Sequence, residues 1–266
     1  MPAVGALALP VLTGAAWMVA RGAPDIYPLA NLAALGFAAV LILLRPITFR
    51  TRWLGVVSAV CVAAMALTLV LSPEVNGVRR WLAIGPFALN AGLLFVPLLA
   101  ALLGRDPRAT LIAVFALLAI ALLQPDAATA FAVSGMATGI YLVSGRWSDG
   151  VAALAAFGTG LLASVRGVLP PQPFVERMVV DAALVSLPAG LVLLIASVAA
   201  FCLMAFATPA APRVRAGVAG SFAGYSIAAF VADYPTPLLG YGVAAIVGYA
   251  LPFAVRWPQR QTENRP

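Results

Sequence analysis

The sequence predicts an all-α, polytopic integral membrane protein of about ten transmembrane helices. It reads as a single helical domain over residues 1–266, with both termini cytoplasmic. Three observations carry this. Hydrophobic residues make up 63% of the chain and charged ones 9%, against about 45–50% and roughly 25% in soluble globular domains. A soluble fold of this length cannot bury such an apolar surplus; a bilayer can. Apolar runs follow one another from end to end, each near the roughly 20 residues that a helix needs to cross the hydrocarbon core. The arginines are shared unevenly between the two sets of connections.

The runs fall at 4–20, 28–44, 54–72, 89–104, 109–124, 128–145, 150–168, 182–208, 216–232 and 237–255. Hydrocarbon offers no partner to irregular backbone, so each run reads as helix. The fourth and fifth are short and leave room for a tilted or partly re-entrant segment. No basic segment precedes the first run, which therefore reads as a retained helix rather than a cleaved signal peptide. Gly135 and Gly139 lie four apart, as do Gly220 and Gly224. That spacing lets helix backbones approach closely, here for packing within the chain.

Orientation follows from the arginines. The even-numbered connections and the carboxyl tail hold Arg45, Arg50, Arg52, Arg105, Arg108, Arg146, Arg213, Arg215, Arg256, Arg260 and Arg265. The odd-numbered connections and their edges hold Arg21, Arg79, Arg80, Arg166 and Arg177. With Asp106, Asp149 and Glu263 the first side carries +8; the other six acids bring the second to −1, matching the total of +7. The arginine-rich side is the expected cytoplasmic one.

Composition also excludes chemistries. Every basic side chain is arginine, and histidine is absent, which removes the usual metal ligand and neutral-pH proton shuttle. Acid–base work falls to Asp, Glu, Tyr or Cys. Cys61 and Cys202 each sit inside an apolar run, too few and too far apart for a disulfide framework or a zinc site. No metal site and no cofactor are read from the chain, with a divalent cation left open. The positive charge is scattered between apolar runs, so its partners are anionic membrane lipids and not nucleic acid. No repeat relates the first five runs to the last five, which argues against a repeat-built transporter.

Three odd-numbered connections hold most of the unusual polarity. The first reads Asn76-Gly77-Val78-Arg79-Arg80-Trp81-Leu82-Ala83-Ile84-Gly85-Pro86-Phe87. Paired arginines on the arginine-poor side fit interfacial anchoring beside Trp81, and equally an anion clamp whose guanidinium forks grip phosphate. The second reads Gln124-Pro125-Asp126-Ala127-Ala128-Thr129-Ala130. Pro125 stops one helix and Asp126 caps the next, or Asp126 is a functional acid at the membrane face. The third, residues 169–181, is Pro-rich and ends in Glu176, Arg177 and Asp181. These three are either a cap with a local ion pair or the acid–base centre of a site.

Together these segments resemble the SEDS (shape, elongation, division and sporulation) family, which includes RodA and FtsW. NGVRRWLAIGP at residues 76–86 is similar to the family's NGARRWI…G, and QPDAATA at 124–130 to its QPDLGTA. LPPQPFVERMVVDA at 169–182 partly matches LPE-x-HTDFIFAVIAEE, and TPLLGYGVAA at 236–245 is similar to LPFVSYGGSS. The resemblance runs in order over residues 76–245 and agrees with ten spans and cytoplasmic ends. It implies a peptidoglycan glycosyltransferase that polymerises lipid II, an undecaprenyl-diphosphate-linked precursor, at the outer face of the bacterial cytoplasmic membrane. The usual partner is a class B penicillin-binding transpeptidase. On this reading Asn76, Arg79, Arg80, Trp81, Gln124, Asp126 and Arg177 bind substrate, with the arginines at the diphosphate. A carboxylate serves as general base: Glu176, with Asp181 as the second catalytic candidate. Val175 stands where the family places its catalytic aspartate, and Asn90-Ala91-Gly92-Leu93-Leu94-Phe95-Val96 replaces its QPSE-x-x-K segment. A relative that binds precursor or scaffolds wall synthesis without catalysis is the alternative. A transporter ranks below both, since nearly all charges lie at span boundaries.

Overall fold

The computed structural model describes residues 1–48, 51–85, 87–105, 107–166 and 169–256. The orientation assignments that rest on Arg50, Asp106, Arg260, Glu263 and Arg265 lie outside the described residues, as does the side chain of Arg108. Eleven α-helices are described: α1 (Pro2–Ala20), α2 (Ile26–Leu44), α3 (Leu54–Leu71), α4 (Ala91–Arg105), α5 (Pro107–Leu123), α6 (Ala127–Ser144), α7 (Trp147–Ser164), α8 (Met178–Val185), α9 (Leu187–Cys202), α10 (Pro212–Val231) and α11 (Val243–Ala254). Four short strands accompany them: β1 (Ile47–Thr48), β2 (Trp81–Ile84), β3 (Phe87–Asn90) and β4 (Val255–Arg256).

Every apolar run is built as helix, with two corrections. The run at 182–208 is not one rod. It begins as α8 and breaks at Ser186, which is extended (φ −155°, ψ 111°) because Pro188 sits in the first turn of α9 and lacks the amide that would continue the ladder. It then ends in a π-helical turn, Leu203–Ala207. The run at 237–255 is helical only from Val243, so α11 reaches about 18 Å and cannot cross the bilayer by itself. Among the described residues, six helices are long and apolar enough to span: α1, α2, α3, α6, α10, and α9 extended through Ala207. Shorter apolar helices fill in around them.

Burial separates the core from the lipid-facing shell. α4 is buried along almost its whole length, while α2, α3 and α9 leave large side chains such as Leu43, Val60 and Ile195 exposed. Helices that are apolar all round belong in hydrocarbon. The central seam joins α6 to α10. A Cβ added at Gly135 would collide with the Gly220 carbonyl, and one at Gly224 with the Phe131 carbonyl. Glycine is required there by backbone approach, as the spacing predicts.

The connections gather at two ends. One end holds the turns at 21–25, 72–90, 124–126, 169–177 and 232–242. At the other, β1 pairs in parallel with β4, and Arg213 lies 3.7 Å from buried Asp149. The side chain of Asn31 in α2 donates to the Gly240 carbonyl (3.0 Å) and accepts from the Gly242 amide (3.1 Å). Tyr27 stacks on Tyr241 with ring centroids 4.1 Å apart. These contacts fix the 232–242 segment over the first end, where the unusual polar residues meet.

Candidate functional site

The main chain around the paired arginines is set by a nested turn. Asn76 (φ 48°) and Gly77 (φ 78°) are both left-handed, and Val75 and Val78 exchange hydrogen bonds across them. Asn-Gly is the pair that tolerates such a turn. Asn76 thereby shapes the loop. The strand leaving it is pinned on both sides. Thr68 Oγ1 donates to the Arg79 carbonyl (3.2 Å), Ser72 Oγ accepts from the Trp81 amide (3.1 Å), and the Ala91 amide donates to the Arg80 carbonyl (3.0 Å). β2 and β3 then form an antiparallel hairpin from Trp81 to Asn90. Gln124 supports this platform from beneath: its amide donates to the Met65 carbonyl (2.9 Å) and to Thr68 Oγ1.

In the segment leading into β2, Arg79 and Arg80 part company. Arg79 is exposed, pairs with Glu74 and donates to the Leu69 carbonyl (3.0 Å). Arg80 is buried and lies 3.5 Å from the carboxylate of Asp126, itself buried. The Arg80 guanidinium stands 5.3 Å from the Trp81 ring centroid and 5.7 Å from that of Tyr234. Its Nε is buried without a hydrogen-bond acceptor. Asp126 caps α6 as its sequence position predicts, accepting from the Thr129 amide (3.3 Å) and hydroxyl (2.7 Å). Thr129 Oγ1 lies 3.1 Å from the Tyr225 hydroxyl. The anion beside Arg80 is therefore held rigid by α6 and α10 together.

Glu176 reaches the same place from the other side. It is buried, accepts from the Gln172 amide (3.0 Å), and forms a bridge with Pro235. The Val175 carbonyl accepts from the Thr236 amide (2.9 Å), and Thr236 Oγ1 accepts from the Met178 amide (3.0 Å). Phe174 (φ 62°) and Arg177 (φ 49°) flank the pair in the left-handed region, which costs about 1–2 kcal/mol for each residue carrying a Cβ. Strain of this kind persists where surrounding contacts over-determine it, and it clusters at sites of function. Burial raises the Glu176 pKa above the ordinary glutamate range, and the nearby Asp233 anion adds to this. The Gln172 amide and the Arg80 cation oppose it. Burial likewise raises the Tyr234 phenol, helped by Asp126 and opposed by Arg80.

A cavity of about 260 Å³ is lined by both Arg80 and Glu176, with Val75, Trp81, Gln172, Val175 and Pro235 among its walls. A second, of about 350 Å³, lies across Trp81, Val175 and Pro235 and is lined by Asn90, Thr236 and Tyr241. The arrangement places a cation and a carboxyl group of raised pKa on one cavity. Among the residues singled out in the sequence, Arg80, Trp81 and Glu176 line the first cavity, and Asp126 orients Arg80. Asn76, Gln124 and Arg79 build or flank the platform. Arg177 pairs with Asp233 at 3.6 Å, and Asp181 is exposed on α8; neither lines the cavity. Tyr234, Thr236 and Gln172 complete the site and were not foreseen. A polar, proline-bearing stretch between two apolar runs, Asp233-Tyr234-Pro235-Thr236, is the signal that marks two of them. No group of three or more metal-ligating side chains occurs among the described residues.

Comparison with known proteins identifies the family and the fold. The model of the FtsW, RodA and SpoVE family, described as cell cycle protein, matches residues 26–171. RodA, the rod shape determining protein of Thermus thermophilus, superposes with a TM-score of 0.68 at 19% identity, covering 95% of this chain and 93% of that one. An aspartate-to-alanine mutant of the same RodA gives 0.70 at 19% identity, with 95% and 94% covered. A third structure, described as showing structural coordination of polymerization and crosslinking by a peptidoglycan synthase complex, gives 0.59 at 18% identity, covering 94% and 96%. No curated protein matches the sequence.

Proposed function

The chain belongs to the FtsW/RodA/SpoVE family of cell cycle proteins, and on that premise we propose that it is a glycosyltransferase polymerising a lipid-diphosphate-linked peptidoglycan precursor. The site lies at the outer face of the bacterial cytoplasmic membrane, with both termini inside. The observation that carries this reading is the shared cavity: a buried guanidinium with an unused donor faces the same space as a buried carboxyl group. Arg80, braced by Asp126, stabilises the negative charge that develops on the departing diphosphate. Glu176 in its ionised form accepts the proton of the attacking sugar hydroxyl, and its raised pKa suits that role. Gln172 and the Pro235–Thr236 edge orient Glu176. The donor is lipid II or a close relative, and the partner is a class B penicillin-binding transpeptidase, in keeping with the synthase complex that shares this fold.

The test is polymerisation of fluorescent lipid II by the purified protein, with and without its partner. Glu176→Gln is expected to lower the rate roughly a hundred- to ten-thousand-fold, the usual loss of a general base. One observation favours a second reading, in which the protein binds precursor without polymerising it: Val175 occupies the position of the family's aspartate, and its main chain is committed to Thr236. Binding of lipid II by wild type, with no polymer formed even when the partner is present, selects this second reading.

A further inference from the structure

A further cavity lies outside the site. It is a groove of about 570 Å³ whose floor is the α6–α10 seam and whose walls include Phe157 and Phe206. Neither Asp nor Glu lines it, and its one charged residue is Arg215, at the end of the molecule opposite the Arg80 cavity. Arg213 nearby has Asp149 for a partner. Among the described residues Arg215 makes no ion pair; its Nη1 donates to the Phe206 carbonyl (3.2 Å), and its Nε is buried without an acceptor.

The dimensions single out the occupant. Along α10 the lining runs from Pro212 to Ile227, about 22 Å at 1.5 Å per residue. That is more than one leaflet but short of the whole hydrocarbon core, about 30 Å thick. A partner's transmembrane helix would need contact across both leaflets, whereas an acyl chain needs one. The only charge stands at the end of the groove, where a headgroup would lie, and its sign selects an anion. We propose that this groove binds one acyl chain of an anionic glycerophospholipid, with the lipid phosphate accepting hydrogen bonds from Arg215.

Native mass spectrometry of the delipidated full chain, re-exposed to equal amounts of chain-matched phosphatidylglycerol and phosphatidylcholine, tests this. Wild type is expected to retain phosphatidylglycerol about fivefold more than phosphatidylcholine, the equivalent of about 1 kcal/mol for one arginine at a headgroup. Arg215→Gln should abolish the preference, and Ala223→Phe, which fills the groove midway, should abolish retention of both lipids. Arg52→Gln, outside the groove, should change neither. Thermal melting of each variant confirms folding. Equal retention of the two lipids by wild type, a preference that survives Arg215→Gln, or retention by folded Ala223→Phe would overturn the assignment. So would crosslinking at Phe206 to a partner's transmembrane segment that displaces the lipid.

Discussion

Arg79 and Arg80 are chemically identical neighbours with opposite fates, one exposed and the other buried. The exposed pair of Arg79 with Glu74 is screened by water and worth about 0–1 kcal/mol. Arg80 and Asp126 are both buried, so removing either leaves an uncompensated charge, at a cost of about 3–5 kcal/mol. Arg80→Gln has a second expected effect. The Arg80 cation lowers the Glu176 pKa, so its loss lets that pKa rise further. Activity that needs ionised Glu176 is lost as pH falls through this value. The acid limb of kcat/KM should therefore move to higher pH in Arg80→Gln than in wild type, and the residual activity read across pH checks it. Stability runs the opposite way with pH: ionising buried Glu176 opposes folding, so its stabilising contribution declines as pH rises past the ordinary value of 4.5 and through the raised one. The sequence marked Arg80, Asp126 and Glu176 because charge and proline stand out against an apolar background. It left Arg79 and Arg80 equivalent, because which of two adjacent side chains faces inward depends on the β2–β3 register, set by contacts to α3 and α4.

Helices were the most legible level, since a run of about 20 apolar residues in lipid has little choice but to be helical. What composition hides is interruption. Ser186 and Pro188 break the eighth run, and residues 237–242 stay irregular because their amides and carbonyls find partners in Asn31, Phe174 and Thr236. Buried irregular backbone is tolerated at membrane depth when protein satisfies it, and those partners are distant in sequence. The α6–α10 seam, by contrast, is announced by its glycines. Gly220→Val would drive two methyl groups into the Gly135 carbonyl, with an expected loss of about 1–3 kcal/mol from overpacking. A thermal-unfolding series in one detergent measures it. Gly36→Val, with nothing within reach of an added Cβ, should shift the melting temperature much less.

At the scale of the whole molecule, charge is sorted by end. The described arginines at the end bearing β1 and β4 are Arg45, Arg52, Arg105, Arg146, Arg213, Arg215 and Arg256, and the other end holds Arg21, Arg79, Arg80, Arg166 and Arg177 with its acids. The orientation proposed from this bias is testable in intact cells after Cys61 and Cys202 are replaced by alanine. Arg79→Cys should react with an impermeant maleimide from outside, and Arg146→Cys only after permeabilisation. The reverse pattern would put the cavity in the cytoplasm and remove wall polymerisation as its function. An orientation of this kind is expected from sequence because the positive-inside bias is counted over connections, without any need for tertiary contacts.

Asn31 ties this architecture to its own synthesis. Its amide is fully buried, and both of its partners, Gly240 and Gly242, lie more than 200 residues later in the chain. While the ribosome is still making the intervening spans, α2 waits in the bilayer with a polar group that has no mate, at a cost of roughly 1–3 kcal/mol. Only the last irregular segment relieves it. A chain truncated before that point therefore keeps an unpaired amide in its second helix.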